Sequence, residues 1–209
     1  MKKTAGILLA IASIVTGTTE TMAIEEATYT VVQKDDHFEI RDYTPHLVAE
    51  TLVEGSLEEA GSIAFKILFG YISGENRSRR KVEMTAPVSQ QASPEKIKMT
   101  APVGQQRVGD KWVVGFMMPA SYSLETLPVP KNPKVTLRRV PGRRMAAVRY
   151  SGFWSEKGYL ENIRKLEAWI SDKGLKIAGG PLWARYNAPF TPWFLRRNEI
   201  LIPIAADSN

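Results

Sequence analysis

The chain has 209 residues, enough for one domain of ordinary size with a substantial apolar core. It contains no cysteine, which excludes disulfides, thiolate metal ligands and a cysteine nucleophile, and its two histidines, His37 and His46, argue against a multi-histidine metal site. The formal charge is +6, but the basic residues are scattered, which favours a solvated surface over a nucleic-acid interface.

The first 23 residues have the pattern of an export signal. Lys2 and Lys3 precede an apolar run, Ala5 to Val15, that is shorter than a bilayer span. Thr21-Met22-Ala23 then places small residues where a signal peptidase needs them. We therefore expect cleavage after Ala23 and a periplasmic or secreted protein of residues 24–209 without stable membrane insertion. An uncleaved membrane anchor is the alternative.

The first half of the mature chain, about residues 28–119, begins with two strand patterns. Phe38-Glu39-Ile40-Arg41 alternates apolar and charged residues, and Thr44-Pro45 signals a turn. The apolar face of the second strand consists of Leu47, Ala49, Thr51 and Val53.

A helix is predicted over residues 56–72. Ser56 followed by Glu59 is the pattern of a capping box, and the glycine of Ser73-Gly74 ends the helical spacing. The apolar positions of one face are Leu57, Ala60, Ala64, Ile67 and Tyr71. A second flank carries Phe65 and Phe69, spaced i to i+4, next to Ile72.

The sequence Met-Thr-Ala-Pro-Val occurs twice, as Met84–Val88 and Met99–Val103. Apolar alternation in and before each copy predicts the beginning of a strand, with the proline at an edge, an end or a bulge. In the second copy the shared face would hold Ile97, Met99 and Ala101. The pattern leaves open whether the methionines face the core or line a pocket. A further strand is expected from Trp112 to Met118.

The second half, about residues 134–204, repeats this plan. Val135-Thr136-Leu137-Arg138 follows the pattern of Phe38–Arg41 at an offset of 97 residues, and Gly152 matches Gly55 at the same offset. Ser155 can cap a second helix, and the last strands are expected at 182–186 and 198–204. The buried positions of this helix would be Tyr159, Ile163, Leu166 and Ile170.

These elements predict a single α+β domain. Two ββαββ units related by a pseudo-twofold axis would form a curved antiparallel sheet, or distorted β-barrel, with two main helices. Neither unit alone offers enough strands to bury its sheet face.

The repeated Met-Thr-Ala-Pro-Val sequence resembles the SOUL haem-binding protein family in its bacterial and plant form. Four further stretches match in the same order and extend the resemblance over nearly the whole mature chain. They are Gly115–Pro119, Leu124–Pro128, Arg149–Phe153 and Arg196–Ile200. The resemblance implies the same architecture and non-covalent binding of haem or a related tetrapyrrole, by a carrier or buffer rather than an enzyme.

A porphyrin needs a wide apolar cleft, and its propionates need cations at the rim. We expect this cleft beside the first helix. Its wall would be Phe65, Phe69 and Ile72, its floor Met84 and Met99, and its rim Arg77, Arg79 and Arg80. The same spacing of aromatic residues and methionines is also typical of an ordinary core.

The sequence does not fix an axial ligand. His37 shares the parity of Glu39 and Arg41, and His46 that of Glu50, so both are expected at the surface and are weak candidates. The resemblance is compatible with binding by apolar packing alone. The thioethers of Met84, Met99, Met117 and Met118 are further candidates.

Two other functions remain open. The repeated arrangement of strands and helices is also similar to the effector-binding domains of drug-responsive regulators. The pocket would then hold an amphipathic, cationic molecule, with Glu199 as the counter-charge. Glu199 is otherwise the ion-pair partner of a neighbouring arginine. A hydrolase or tetrapyrrole-modifying enzyme is the third hypothesis, although no general base stands out in the sequence.

Overall fold

The computed structural model describes residues 24–79 and 93–205, in which two α-helices cover one face of a nine-stranded antiparallel sheet. In chain order the elements are β1 (Tyr29–Asp35), β2 (Phe38–Tyr43), β3 (His46–Val53), α1 (Leu57–Ser73), β4 (Asn76–Arg77), β5 (Val103–Val108), β6 (Lys111–Met117), β7 (Val129–Pro130), β8 (Thr136–Val140), β9 (Arg143–Tyr150), α2 (Glu156–Asp172), β10 (Leu182–Arg185) and β11 (Asn198–Pro203). The short strands β4 and β7 pair with each other, outside the large sheet.

The sheet confirms the predicted internal repeat. Its strand order is β1-β2-β9-β11-β10-β5-β6-β3-β8, and every neighbouring pair is antiparallel. When β1 is left out, a twofold rotation superimposes the strand order on itself. The equivalent strands are β2 and β8, β9 and β3, β11 and β6, and β10 and β5. The pseudo-twofold axis therefore passes between β5 and β10. Gly55 and Gly152 hold equivalent places before the two helices, with φ of 113° and 137°, a region that favours glycine.

Both helices begin as the sequence predicts. The Ser56 side chain accepts a hydrogen bond from the Glu59 amide, and the Glu59 carboxylate accepts one from the Ser56 amide, which completes the capping box. Gly74 ends α1. At α2 the Ser155 hydroxyl accepts from the amide of Gly158. Within the described ranges, neither helix combines the length and apolar character needed to cross a bilayer.

The main core lies between the helices and the sheet. Its fully buried members include Ala49, Leu57, Ala60, Ala64, Leu68, Val114, Ala146, Leu166, Ile170, Trp183 and Ile200. The helix-free face of the sheet carries a smaller apolar cluster, formed by Tyr43, Met145, Ala147, Ala184 and Leu201. Both faces of the central strands are therefore apolar, which is expected where one face packs on helices and the other lines a concave surface.

The second Met-Thr-Ala-Pro-Val copy departs from the prediction, because only Val103 belongs to a strand. Met99 is 40 % exposed whereas Ile97 and Ala101 are buried, so these residues do not share one face. The amide of Ile97 donates instead to the carbonyl of Ile72 at the end of α1. The segment is held by loop contacts, to which the two-residue period of a strand does not apply. The first copy lies outside the described residues, as do residues 1–23.

Candidate ligand-binding groove

A groove runs along the helix-free face of the sheet, with a volume of about 780 Å³ including space open to solvent. We call it the sheet groove. Its apolar lining consists of Ala27, Val48, Pro102, Val113, Met117, Val140, Met145, Leu182 and Leu201. Its polar lining consists of Tyr43, His46, Glu50, Gln106, Arg138 and Arg143. An apolar trough with a few polar groups is the usual composition of a small-molecule site.

The strand register brings these side chains together. Val48 on β3 lies opposite Met117 on β6 and Arg138 on β8, and His46 lies opposite Val140. The residues between them on β3 face the helices, because successive side chains alternate between the two faces of a strand. The parity that placed His46 and Glu50 on the side of β3 away from the main core therefore placed them on the face that lines the groove, where His46 is partly buried.

Two glycines leave the floor of the groove without side chains. Gly104 on β5 is paired with Gly115 on β6. A Cβ added to Gly115 would meet its nearest neighbour, the Ala49 carbonyl, at 3.7 Å, and one on Gly104 would meet Leu182 at 3.3 Å. Neither glycine has a positive φ, so what it provides is space rather than backbone freedom. A glycine inside a strand often marks the close approach of a ligand.

His46 borders the groove in a state suited to metal ligation. Its Nδ1 lies 3.1 Å from the Thr44 carbonyl, and because a carbonyl only accepts, Nδ1 carries the donated proton. Burial lowers the pKa of His46, and the charges of Arg143 and Arg138 lower it further, against the opposing effect of the Thr44 hydrogen bond. The neutral ring then has its lone pair on Nε2. His37, as predicted, is exposed and lies 3.5 Å from Asp36.

The two groove arginines differ in their pairing. Arg138 binds both oxygens of Glu50, with Nε–Oε1 at 3.0 Å and Nη2–Oε2 at 2.8 Å. Arg143 forms no ion pair with any described residue, and its pKa is lowered by burial and by the neighbouring Arg138. Arg143 is therefore the groove cation that is available to an anionic ligand.

Glu199 is a buried ion-pair partner rather than a free counter-charge. Its Oε2 accepts from Arg41 Nη1 at 2.6 Å and from the Tyr186 hydroxyl at 2.9 Å, and its Oε1 accepts from Arg197 Nε at 2.9 Å. Burial raises the pKa of Glu199, but Arg41 and Arg197 outweigh this and hold it below its usual range. The parity that placed His37 at the surface does not extend to Arg41, whose side chain is 3 % exposed.

The described residues among those predicted to form a cleft beside α1 lie outside the sheet groove. Phe65 and Phe69 stack with ring centroids 5.8 Å apart, and Phe69 is 47 % exposed. Ile72 belongs to the main core. Of the other predicted residues, Arg77, Arg79 and Met99 are exposed, while Arg80 and Met84 lie outside the described residues. None of the described members lines the sheet groove, and their part in ligand binding stays a prediction.

Sequence reasoning missed the glycine floor and Arg143. The signal for the floor was present, because Gly104 and Gly115 interrupt two strand patterns without a turn residue beside them. No such signal marks Arg143, whose position depends on the pairing of β9 with β2. In the described part of the chain, no group of three or more His, Asp or Glu side chains is placed to hold a metal ion.

Comparison with known proteins places the chain in a family. The model of the SOUL heme-binding protein family matches residues 24–203. The chain belongs to the SOUL heme-binding protein family. No curated protein sequence gives a significant match to this SOUL protein.

Solved structures share the fold of this SOUL protein at low identity. The C-terminal domain of EcmrR has a TM-score of 0.57 at 8 % identity, over 85 % of this chain and 98 % of that one. A hydrolase from Listeria innocua has a TM-score of 0.55 at 13 % identity, over 83 % and 94 %. An uncharacterized conserved protein from the same organism has 0.52 at 11 %, over 80 % and 92 %. At these identities the likeness shows a common fold alone.

Proposed function

We propose that this SOUL protein binds haem or a related tetrapyrrole non-covalently in the sheet groove, as a carrier or buffer rather than as an enzyme. The observation that carries the proposal is the bare floor at Gly104 and Gly115 between apolar walls. A flat macrocycle can lie against the backbone there, where a Cβ would otherwise stand. The family of the chain supports the class of ligand.

The donor set of the groove fits this ligand. His46 is neutral with Nδ1–H engaged, so Nε2 is free to ligate iron. The thioethers of Met117 and Met145 lie in the same lining and offer softer contacts. When bound, haem would supply a Lewis-acidic iron, and His46 would be the residue that holds it. The protein supplies the imidazole, the apolar walls and the exclusion of water.

The charges of the groove also fit. Arg143 has no carboxylate partner among the described residues, and a propionate would give it a charge-assisted hydrogen bond. Arg138 already shares its charge with Glu50, so it contributes less to a second anion. The groove is therefore better suited to an anionic pigment than to the cationic molecule considered from the sequence.

Haemin titration of the full chain, followed at the Soret band, tests the proposal. We expect a shifted band that saturates at about one equivalent, and a loss of affinity of at least about tenfold in Gly115→Val, whose side chain fills the floor. Gly115→Ala is the matched control, because its Cβ makes only ordinary contacts. It should retain the wild-type melting temperature and lose less affinity than Gly115→Val, because a single Cβ occupies only part of the space above the floor.

The same titration separates the groove from the cleft predicted beside α1. Phe65→Ala combined with Phe69→Ala should leave the Soret shift unchanged if the ligand lies in the sheet groove. If the double variant abolishes the shift while Gly115→Val retains it, the groove is the wrong location and the α1 flank takes its place.

We also propose that the protein works outside the cytoplasm, after cleavage behind Ala23. The support is the sequence pattern of residues 1–23. Mass spectrometry of the protein recovered from the periplasm or medium should give a mature chain that begins at Ile24. Recovery of an intact N-terminus in the membrane fraction would favour the uncleaved anchor.

A further inference from the structure

Five large apolar side chains are exposed where the connection between β10 and β11 meets the end of β9. Phe190 is 90 % exposed, and the other four are between 49 % and 64 % exposed: Phe153, Trp193, Phe194 and Leu195. We call these five residues the aromatic tip. The rings of Phe153 and Trp193 stack with centroids 5.4 Å apart, and those of Trp193 and Phe194 meet edge to face at 5.5 Å. Single exposed apolar residues are common, but a group of this kind marks an interaction surface.

The backbone that carries the aromatic tip is folded on itself. Three of its amides donate within the segment, Thr191 to Ala188, Leu195 to Pro192 and Arg196 to Trp193. The guanidinium of Arg196 donates to the carbonyls of Pro189 and Thr191, at 2.7 Å and 2.8 Å. Pro189 and Pro192 have no amide proton to satisfy. Internal pairing of backbone groups is what a segment needs in order to leave water for lipid.

The surroundings of the aromatic tip are basic. Residues 149–154 and 186–197, the two segments that carry it, contain three arginines and no acidic residue. Arg197 is paired with Glu26 and Glu199. Arg149 is exposed, Arg196 donates to carbonyls, and neither forms an ion pair with a carboxylate of the described residues. An apolar tip accompanied by two uncompensated cations is complementary to an apolar phase with an anionic surface.

We propose that the aromatic tip docks this protein peripherally on a bilayer that contains anionic phospholipids. Trp, Phe and Leu are typical of the apolar side of segments that lie in the bilayer interface. The lipid phosphates would pair with Arg149 and Arg196. Phe190 protrudes from the surface, and fluid lipid encloses a protruding side chain without a preformed cavity to receive it.

The aromatic tip is separate from the sheet groove. None of its five residues lines the groove. Docking on a bilayer therefore does not rest on the binding of haem, and either proposal can fail while the other holds.

Vesicle titration of the full chain, followed by tryptophan fluorescence, tests the proposal. Trp193 is 49 % exposed, whereas the other tryptophans are buried or half-buried: Trp112, Trp154, Trp169 and Trp183. Vesicles of phosphatidylcholine and phosphatidylglycerol in equal parts should shift the emission to the blue, and bromine on their acyl chains should quench it. Trp193→Phe should abolish both changes. The signal is local to the tip, so it does not report membrane contacts of residues 1–23.

Phe190→Ser combined with Phe194→Ser tests the apolar contribution. The double variant should weaken binding, measured by the quenching of Trp193, at least about tenfold, because binding scales with the apolar area that is buried. Val108→Ser is the matched control. Val108 is as exposed as Phe194, at 54 % against 58 %, but it lies at the end of β5 opposite to the end that pairs with Arg185. The control should bind like the wild type, and both variants should keep its melting temperature.

Lipid composition tests the electrostatic contribution. The wild type should bind the mixed vesicles at least about tenfold more tightly than vesicles of phosphatidylcholine alone, and high salt should reduce this preference. Arg149→Gln should weaken binding to the mixed vesicles about fivefold, the usual effect of one basic residue near an anionic bilayer. It should leave binding to phosphatidylcholine unchanged.

The proposal is overturned if the emission of Trp193 is neither shifted nor quenched, or if the double serine variant is quenched as strongly as the wild type. Equal binding to the two lipid compositions would overturn the assignment to an anionic surface. Analytical ultracentrifugation covers the remaining case. A dimer that the double variant abolishes, without quenching of Trp193 by vesicles, would mean that a second copy of this chain covers the aromatic tip.

Discussion

Arg41 on β2 and Glu199 on β11 form a two-pronged ion pair across the intervening strand β9, with Nη1–Oε2 at 2.6 Å and Nη2–Oε1 at 3.2 Å. Both side chains are buried, and Arg197 and Tyr186 complete the coordination of the carboxylate. The two buried charges compensate each other only when β2, β9 and β11 are paired in this register. The ion pair therefore favours this register over shifted ones.

We predict that Glu199→Ala is strongly destabilising. The substitution leaves the buried Arg41 with Glu39, whose Oε2 lies 2.7 Å from its Nε, as its remaining described carboxylate. Breaking a buried pair on one side typically lowers the free energy of unfolding by about 3–5 kcal/mol. The control is Asp42→Ala, which removes a more exposed pair with Arg144, at 2.8 Å and 2.9 Å, and should cost about 0–1 kcal/mol. Urea unfolding measures both. Equal losses in the two variants would contradict the role given to Glu199.

Stability should fall on acidification through the titration of Glu199. Its pKa in the folded protein lies below the usual value of 4.5, because Arg41 and Arg197 overcome the effect of burial. The unfolded chain therefore binds this proton first, and the stabilisation is complete above pH 4.5 and is lost as the pH falls through the folded pKa. Urea titrations from pH 7 to pH 3 should show this decline in the wild type and a smaller one in Glu199→Gln.

Much of the fold was predictable from local patterns. The capping box at Ser56, the helix ends and the strand periods are local signals, and the offset of 97 residues between Gly55 and Gly152 revealed the repeat. The second Met-Thr-Ala-Pro-Val copy was not predictable, because contacts distant in sequence override its alternation. Met99 is exposed since the preceding backbone is tied to the end of α1 rather than to a strand.

The candidate site was less predictable than the fold, because it too depends on contacts between residues distant in sequence. Parity showed correctly that His46 and Glu50 point away from the main core, but it cannot distinguish solvent from a groove. That distinction depends on the curvature of the sheet and on which strands meet. Parity likewise gives no sign that Arg41 is buried, since its partner Glu199 is 158 residues away in the chain.

Haemin binding should weaken at acid pH through His46. Burial and two arginines lower its pKa below the ordinary value of 6.5, so the ring is neutral at pH 7 and charges only as the pH falls through that lower value. A charged imidazole does not ligate iron. We expect the Soret position to change below pH 6.5 in the wild type, and to be shifted at every pH in His46→Ala. His37→Ala is the control and should follow the wild type.

The last prediction concerns the two arginines of the groove. Arg143→Gln removes the unpaired cation and should weaken haemin binding by about tenfold, the usual effect of losing one charged hydrogen bond. Arg138→Gln should weaken binding as well, but indirectly, because it leaves the carboxylate of Glu50 unpaired beside the anionic ligand.

Two comparisons make this distinction measurable by Soret titration. Adding Glu50→Gln to Arg138→Gln should restore much of the affinity, whereas adding it to Arg143→Gln should not. Haemin dimethyl ester, which lacks the propionate charges, should bind the wild type and Arg143→Gln alike. If the ester is as sensitive to Arg143→Gln as haemin itself, this arginine supports the shape of the groove rather than the charge of the ligand.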